Sequence, residues 1–356
     1  MKLFSCAVCR QLLFFENVKC GSCGHSLAYL PEHEVVSALA PEGDGWRALA
    51  PEAAGARYQL CANSAEHGVC NWALPAGSDA RLCRSCRLND TIPNLSAPDA
   101  WAAWQRLEIA KRRLLYTLFA LGLPVEAKGA SERGLAFSFK ADRAGEKVFT
   151  GHDDGLITIN VAEADDPFRE KMRHRLGEAY RTLLGHFRHE IGHYYWERLV
   201  RGTAWHEPFR REFGDESSDY AQALEAHYAR GAPPSWQDEY VSAYASMHPW
   251  EDFAETFAHY LHIVDTLETA RSYGLALQPQ PRGGAPLARV TTRRLAFEDF
   301  DELVAAWLPL TMALNSLNRG MGLPDLYPFV LSPRSLAKLR FVHALIEAEG
   351  RPAPAR

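Results

Sequence analysis

The stretch His189-Glu190-Ile191-Gly192-His193 is the most informative part of this 356-residue chain. On a helix, residues four apart lie on one face, so His189 and His193 are in position to bind one metal ion. A tetrahedral zinc ion held by two imidazoles leaves room for a third protein ligand and a water molecule. Glu190 is then placed to accept a proton from that water. The stretch therefore indicates the chemistry of a zinc-dependent hydrolase.

The residues around this stretch predict the helix that the chemistry needs. Apolar side chains recur every three to four residues between Leu176 and Leu199, which is the period of one buried helical stripe. Glu190 and the two histidines fall on or beside a different face of that helix. No proline interrupts the segment. A surface helix that carries histidines by chance is the alternative interpretation.

Composition and charge are those of an ordinary globular protein. Hydrophobic residues make up 47% of the chain, charged residues make up 23%, and the net charge is -5. That balance offers no attraction to nucleic acid or to anionic membranes. No apolar run long enough for a signal peptide precedes Cys6, and none approaches the roughly 18 residues of a membrane span. We therefore expect a cytoplasmic protein whose cysteines are metal ligands rather than disulfides.

All eight cysteines lie before residue 87 and divide into two groups of four. The first group has two CxxC pairs separated by ten residues, which is typical of a zinc ribbon, and consists of Cys6, Cys9, Cys20 and Cys23. The second group is looser, with one CxxC pair, and consists of Cys61, Cys70, Cys83 and Cys86. Four thiolates close the coordination shell, so we expect two structural zinc ions. His25 and His67 are alternative ligands, and buried thiols without metal are the alternative for the second group.

Zinc ribbons often bind nucleic acid, but the charge of this segment does not favour it. Residues 1–90 contain eight Lys or Arg and nine Asp or Glu, which leaves no basic face for phosphates. The run Lys111-Arg112-Arg113 is expected to be a solvated face rather than a nucleic-acid site. Any partner of the ribbons is therefore expected to be a protein.

The turn-forming residues 89–99 predict a domain boundary near residue 95, with a zinc-ribbon module at 1–95 and one further domain at 96–356. The predicted elements after the boundary are a helix over Ala100–Leu121, strands over Leu135–Lys140 and Gly155–Val161, and packing helices over Phe297–Leu317 and Ser332–Glu349. A small sheet just ahead of a helix that carries HExxH resembles the order of elements in zincin peptidases. The fold class it implies is α+β, a zincin-like core with a mostly helical C-terminal part behind the ribbon module.

A second long helix is predicted to begin at His248-Pro249 and to end at Gly274. Glu251 and Glu255 lie one turn apart on it. Carboxylates beside bulky apolar residues are costly to bury, so a cation or a hydrogen-bond donor is expected to receive them. The other candidate ligands on this helix are Asp252, His259 and His262. Neither of these histidines has the short spacing from HExxH that a three-histidine site of metzincin type requires.

HExxH followed, after a long insertion, by a helical Glu-x-x-x-Glu resembles the gluzincin metallopeptidases, and Glu251-Asp252-Phe253-Ala254-Glu255 has the residue order of the lethal-factor type. The resemblance implies that Glu251 is the third zinc ligand and that Glu255 supports a ligand histidine from behind. It also implies that Tyr244, seven residues before Glu251, polarises the scissile carbonyl. Tyr240, one helical turn earlier, is the alternative.

The whole chain also resembles a bacterial family that joins a zinc ribbon to a zinc-binding metallopeptidase. The motifs that carry the resemblance are Cys20-Gly21-Ser22-Cys23-Gly24-His25, Cys83-Arg84-Ser85-Cys86-Arg87-Leu88 and the run from Arg181 to Arg188 that leads into HExxH. We predict a peptidase with one catalytic and two structural zinc ions, in which Glu190 is the general base. The alternative is an adaptor whose ribbons bind protein or nucleic acid beside an inactive scaffold. An inactive scaffold has no chemical need for Glu190.

Overall fold

The computed structural model describes residues 2–176, 178–284, 290–291 and 299–350. By its internal contacts the chain divides into two units, each assembled from three segments. The first unit consists of Met1–Tyr116, Glu126–Thr150 and Thr158–Asp165. The second unit consists of Thr117–Val125, Gly151–Ile157 and Asp166–Arg356.

The first unit is built mainly from short antiparallel strands around the cysteine groups. Phe4–Ser5 (β1) pairs with Leu12–Leu13 (β2). A five-stranded sheet follows in chain order, with the strands Ser26–Leu30 (β3), Val35–Glu42 (β4), Gly45–Ala48 (β5), Arg57–Leu60 (β6) and Ala73–Pro75 (β7). Its core includes Leu30, Leu39 and Tyr58, all at most 2% exposed. The sheet thus supplies a small apolar core of its own.

The rest of the first unit contains two elements that the sequence predicts and two that it does not. The short helix Ala62–Ala65 (α1) precedes the strand Asn89–Thr91 (β8), the helix Ala100–Ala120 (α2, to residue 116 in this unit) and the strand Ala136–Lys140 (β9). β8 and β9 run parallel. The predicted elements, α2 and β9, have the right type, with ends that differ by one residue, whereas α1 and β8 are not predicted.

The prediction of a solvated face at Lys111-Arg112-Arg113 is wrong for its first two residues, which are buried. The ammonium nitrogen of Lys111 lies 2.9 Å from Oε2 of buried Glu108, and a guanidinium nitrogen of Arg112 lies 3.6 Å from the same oxygen. Arg113 stays partly exposed and pairs with Glu16. A carboxylate three and four residues earlier on the helix offsets the cost of burying both cations.

The second unit is mainly helical. Its strands are Gly151–Asp153 (β10), Leu156–Asn160 (β11, of which 156 and 157 belong to this unit), Ala276–Leu277 (β12) and Val290–Thr291 (β13). Its helices are Asp166–Leu176 (α3), Leu183–Tyr195 (α4), His206–Phe213 (α5), Tyr220–Arg230 (α6), Trp236–Glu239 (α7), Pro249–Ser272 (α8), Phe300–Gly320 (α9) and Pro333–Glu349 (α10). Phe297, the predicted start of α9, lies outside the described residues. The α+β class with a cysteine-rich front and a helical C-terminal part is confirmed.

Across the described ranges, no helix has both the length and the apolar character that a bilayer crossing requires.

The helix that carries HExxH is shorter at its N-terminus than predicted. α4 begins at Leu183 and not at Leu176, which ends α3. Thr182 has an extended backbone, and its hydroxyl accepts the amide hydrogen of Gly185 at 3.0 Å, so it caps the helix. After Tyr195 the chain continues as one π-helical turn over Trp196–Val200. The helical segment therefore ends at Val200, one residue after Leu199, where the predicted apolar stripe ends.

Close packing of α4 against α8 brings the two predicted ligand helices together. A Cβ atom at Gly192 would lie 2.8 Å from the Cα of Ala254, so glycine is needed for this approach. Behind the contact, Arg188 of α4 forms a buried ion pair with Asp265 of α8. Small residues at the crossing and an ion pair behind it therefore set the distance between the two helices.

Candidate metal centres

Two groups of four cysteines meet in the first unit, and they are the same two sets that the sequence predicts. The Sγ atoms of Cys6 and Cys23 are 3.6 Å apart, as are those of Cys9 and Cys20. Those of Cys70 and Cys83 are 3.7 Å apart. Sulfurs at the corners of a tetrahedron around zinc, each at about 2.3 Å, are about 3.8 Å from one another, whereas a disulfide bond is about 2.0 Å long. The spacing fits thiolate zinc sites.

The two cysteine groups differ in exposure. All four cysteines of the second group are buried, whereas Cys9 and Cys23 of the first group are partly exposed. In the second group, the backbone N–H of Cys83 points to Sγ of Cys61 at 3.4 Å. Such donors favour the thiolate form that a metal binds. The alternative ligands His25 and His67 belong to neither group.

A third group joins the two packed helices, with His189 and His193 from α4 and Glu251 from α8. The Nε2 atoms of the histidines are 3.1 Å apart, and Oε2 of Glu251 lies 3.0 Å from Nε2 of His189 and 3.4 Å from Nε2 of His193. Ligand atoms about 2.1 Å from a tetrahedral zinc ion are about 3.4 Å apart. Oε2 of Glu251 is buried, and apart from these two imidazoles it has no hydrogen-bond partner among the residues that the structure describes. A buried carboxylate oxygen facing two imidazole nitrogens fits a divalent cation.

Glu255 contacts the other ring nitrogen of His189, a candidate ligand. Its Oε1 lies 2.7 Å from Nδ1 of His189, and its Oε2 accepts a hydrogen bond from the Ser242 hydroxyl at 2.6 Å. Burial is the largest influence on the pKa of Glu255 and acts to raise it, but the hydrogen bonds from His189 and Ser242 and the nearby imidazoles together outweigh burial and lower that pKa to about 2. An ionised Glu255 therefore keeps the proton of His189 on Nδ1 and leaves Nε2 free for a metal.

The other candidate ligands of α8 have partners elsewhere, and none belongs to the metal group. Oδ2 of Asp252 lies 2.6 Å from the buried ammonium group of Lys338. Nδ1 of His259 lies 2.7 Å from the hydroxyl oxygen of Tyr327, and the ring of His262 packs against the same tyrosine. Consecutive helical residues project roughly 100° apart, so a helix that turns Glu251 toward the histidines turns Asp252 away.

Glu190 is buried beside the metal group, with 7% of its surface exposed. Burial raises its pKa, and the nearby imidazoles oppose that effect only in part. Its Oε2 has no hydrogen-bond partner in the described part of the chain. A carboxylate with a raised pKa and a free oxygen has the properties of a general base that works near neutral pH.

The structure brings Tyr244 to the site. Its ring centroid lies 6.0 Å from that of His189, and burial raises its pKa, so its hydroxyl remains a donor. Tyr240 is not one helical turn before it, because its backbone is extended after α7. The ring of Tyr240 instead lies against the ammonium group of Lys338, 4.1 Å from the centroid.

Sequence reasoning missed several residues at this site, and two of them contact candidate ligands directly. The hydroxyl of Tyr220, at the start of α6, donates a hydrogen bond to Oε1 of Glu251 at 2.8 Å. The ring of Trp250 packs on that of His193, with centroids 3.9 Å apart. Trp250 directly precedes Glu251 in the sequence, and this adjacency could have identified it as a residue of the site. Tyr220 stands 31 residues before Glu251, and no spacing rule connects the two.

Comparisons with known proteins identify the family of the chain. A family model described as "Putative zinc-binding metallo-peptidase" matches residues 100–345, and a model described as a zinc-ribbon domain matches residues 3–97. Uncharacterized proteins of Mycobacterium tuberculosis (strain H37Rv) and Mycobacterium bovis (strain AF2122/97) are each 43% identical to this chain over 350 residues. The aligned region covers 98% of this chain and 96% of each relative. No solved structure matches the chain significantly.

Proposed function

We propose that this chain, which belongs to the family described as "Putative zinc-binding metallo-peptidase", is a zinc-dependent peptidase of the gluzincin type that acts on peptide or protein substrates. The observation that carries the proposal is the convergence of His189, His193 and Glu251 on one point, with buried Glu190 beside them. Two imidazoles and one carboxylate are the ligand set of hydrolytic zinc sites that keep a position open. The proposed domains are a zinc-ribbon module at 1–95 and a peptidase domain at 96–356.

The three side chains would hold zinc, which when bound supplies Lewis acidity and lowers the pKa of a water molecule to about 7. Glu190 accepts the proton of the attacking water and delivers it to the leaving amine. Tyr244 donates a hydrogen bond to the carbonyl oxygen as negative charge develops there. Glu255 keeps His189 in the orientation seen here. The cysteine groups are structural, because four thiolates leave no position for water or substrate.

The direct test is hydrolysis of an unstructured peptide library by the full-length zinc-loaded protein, with the cut bonds located by mass spectrometry. The adaptor alternative predicts intact peptides. The buried Glu190 favours the enzyme, since it forms no ion pair with a Lys or Arg of the described residues and burying such a carboxylate is costly without a chemical use.

The metal content should be three zinc ions per chain, one at the His/His/Glu group and one at each cysteine group. We expect a chelator to remove one ion readily and two slowly, because the thiolate sites are closed and largely buried. Mass spectrometry of the metal against protein concentration measures the ratio. A Cys6→Ser variant should retain the readily removed ion and destabilise mainly the front end. A ratio near one in the parent protein would contradict both cysteine assignments.

Removing the hydroxyl of Tyr244 should slow turnover without emptying the metal site. We expect Tyr244→Phe to lower kcat by about 10- to 1000-fold with a smaller change in KM, since a donor to a developing oxyanion acts mainly in the transition state. Steady-state kinetics on a cleaved library peptide measures both constants. Tyr240→Phe is the matched control and should keep the parent kcat. Equal kcat values for the two variants would exclude Tyr244 from this role.

A further inference from the structure

The two carboxylate oxygens of Glu251 have different neighbours. Oε2 faces Nε2 of His189 at 3.0 Å and Nε2 of His193 at 3.4 Å. Oε1 instead accepts a hydrogen bond from the hydroxyl of Tyr220 at 2.8 Å. Each carboxylate oxygen has two lone pairs, so the hydrogen bond acts by holding the rotation of the carboxylate, with Oε1 toward Tyr220 and Oε2 toward the imidazoles. That orientation favours Oε2 as the oxygen that faces a cation.

Tyr220 is held in place by contacts around its ring. It is the first residue of α6, which Asp219 caps with its side chain. The phenol ring lies edge-on to the rings of His248 and Trp250, with centroids 5.3 and 5.9 Å away. The same Trp250 ring packs on the ligand histidine His193. The rings of Tyr220, Trp250 and His193 thus pack in one continuous group.

Core packing does not explain this tyrosine. Tyr220 is half-buried, and α6 has no buried residue. Its hydroxyl instead donates a hydrogen bond to Glu251. The chemistry of the site, rather than the stability of the core, accounts for a hydroxyl at this position.

We propose that Tyr220 is a positioning residue that makes Glu251 a one-oxygen metal ligand and thereby keeps a coordination position open for water. The inference rests on the proposed function, since it requires a cation at His189, His193 and Glu251. Three protein ligand atoms leave the fourth tetrahedral position free. Binding of the second oxygen of Glu251 would crowd that position.

The experiment uses full-length protein in which cobalt(II) replaces the readily exchanged metal while the cysteine groups keep zinc. Tetrahedral cobalt absorbs visible light more strongly than cobalt with five or six ligands. We expect a four-coordinate spectrum in the parent protein and a weaker spectrum of higher coordination in Tyr220→Phe. Zinc affinity of the variant should fall by about 10- to 100-fold, as for other groups that hold a ligand in place. Tyr228→Phe, at an exposed position of the same helix, is the matched control and should match the parent.

The outcomes separate this inference from the proposed function. An unchanged cobalt spectrum in a folded Tyr220→Phe variant overturns the inference alone. A parent protein that takes up no cobalt at His189, His193 and Glu251 overturns the inference and the proposed function together. Cobalt-edge X-ray absorption of the parent gives a second measurement that does not need the variant to fold. It should show four nearest ligand atoms around cobalt, and five or more would also overturn the inference.

Discussion

Changing Glu190 to Gln should reduce peptide hydrolysis by about 10²- to 10⁴-fold while zinc stays bound, as expected when a general base is lost. The amide cannot accept the proton of the attacking water. Its size and shape match those of the carboxylate, so the buried position beside His189 and His193 stays filled. Cleavage of a library peptide measures the activity, and metal analysis of the same sample measures the zinc content.

Glu197 provides the matched control for this substitution. It is a second glutamate whose pKa burial raises, it lies on the π-helical turn after α4, and it is not part of the metal group. Glu197→Gln should keep the parent rate. Full activity in Glu190→Gln would show that another group accepts the proton, and the proposed mechanism would be wrong.

Removing each carboxylate of α8 in turn should have very different effects on the catalytic metal. Glu251→Ala should empty the site, because two imidazoles alone bind zinc weakly and the oxygen that faces them is lost. Glu255→Ala should keep the metal with an affinity lowered by about 10- to 100-fold, because it removes only the group that orients His189. Titration with a chromophoric chelator orders the two variants and the parent.

The cysteine-bound zinc ions serve as an internal control in this titration, because neither substitution touches them. Both variants should therefore retain two slowly exchanging ions. The roles of the two carboxylates are reversed if Glu255→Ala loses the metal while Glu251→Ala keeps it. In that case the resemblance to the lethal-factor pattern does not extend to this helix.

Features that depend on neighbours in the chain could be read from the sequence. The sequence shows that Cys6 and Cys9 belong to one metal group, as do Cys20 and Cys23, because a single tight turn can bring both thiols of a CxxC to the same ion. The position of His189 and His193 on one helical face follows in the same way from helical geometry. The prediction for Lys111 was wrong because the same local pattern, a basic run on a helix, suits both a solvated face and a buried ion pair. Which of these forms depends on what packs over the helix.

The sequence by itself determined the chemical groups of the site, the helices that carry them and the two cysteine sets, because these follow from residue type and local spacing. The tertiary structure alone decided that Glu251 rather than Asp252 faces the histidines, because the rotation of α8 depends on its packing against α4 at Gly192 and Ala254. It alone also brought Tyr220 to Glu251. A contact across 31 residues depends on how separate helices dock, and no local periodicity encodes that arrangement.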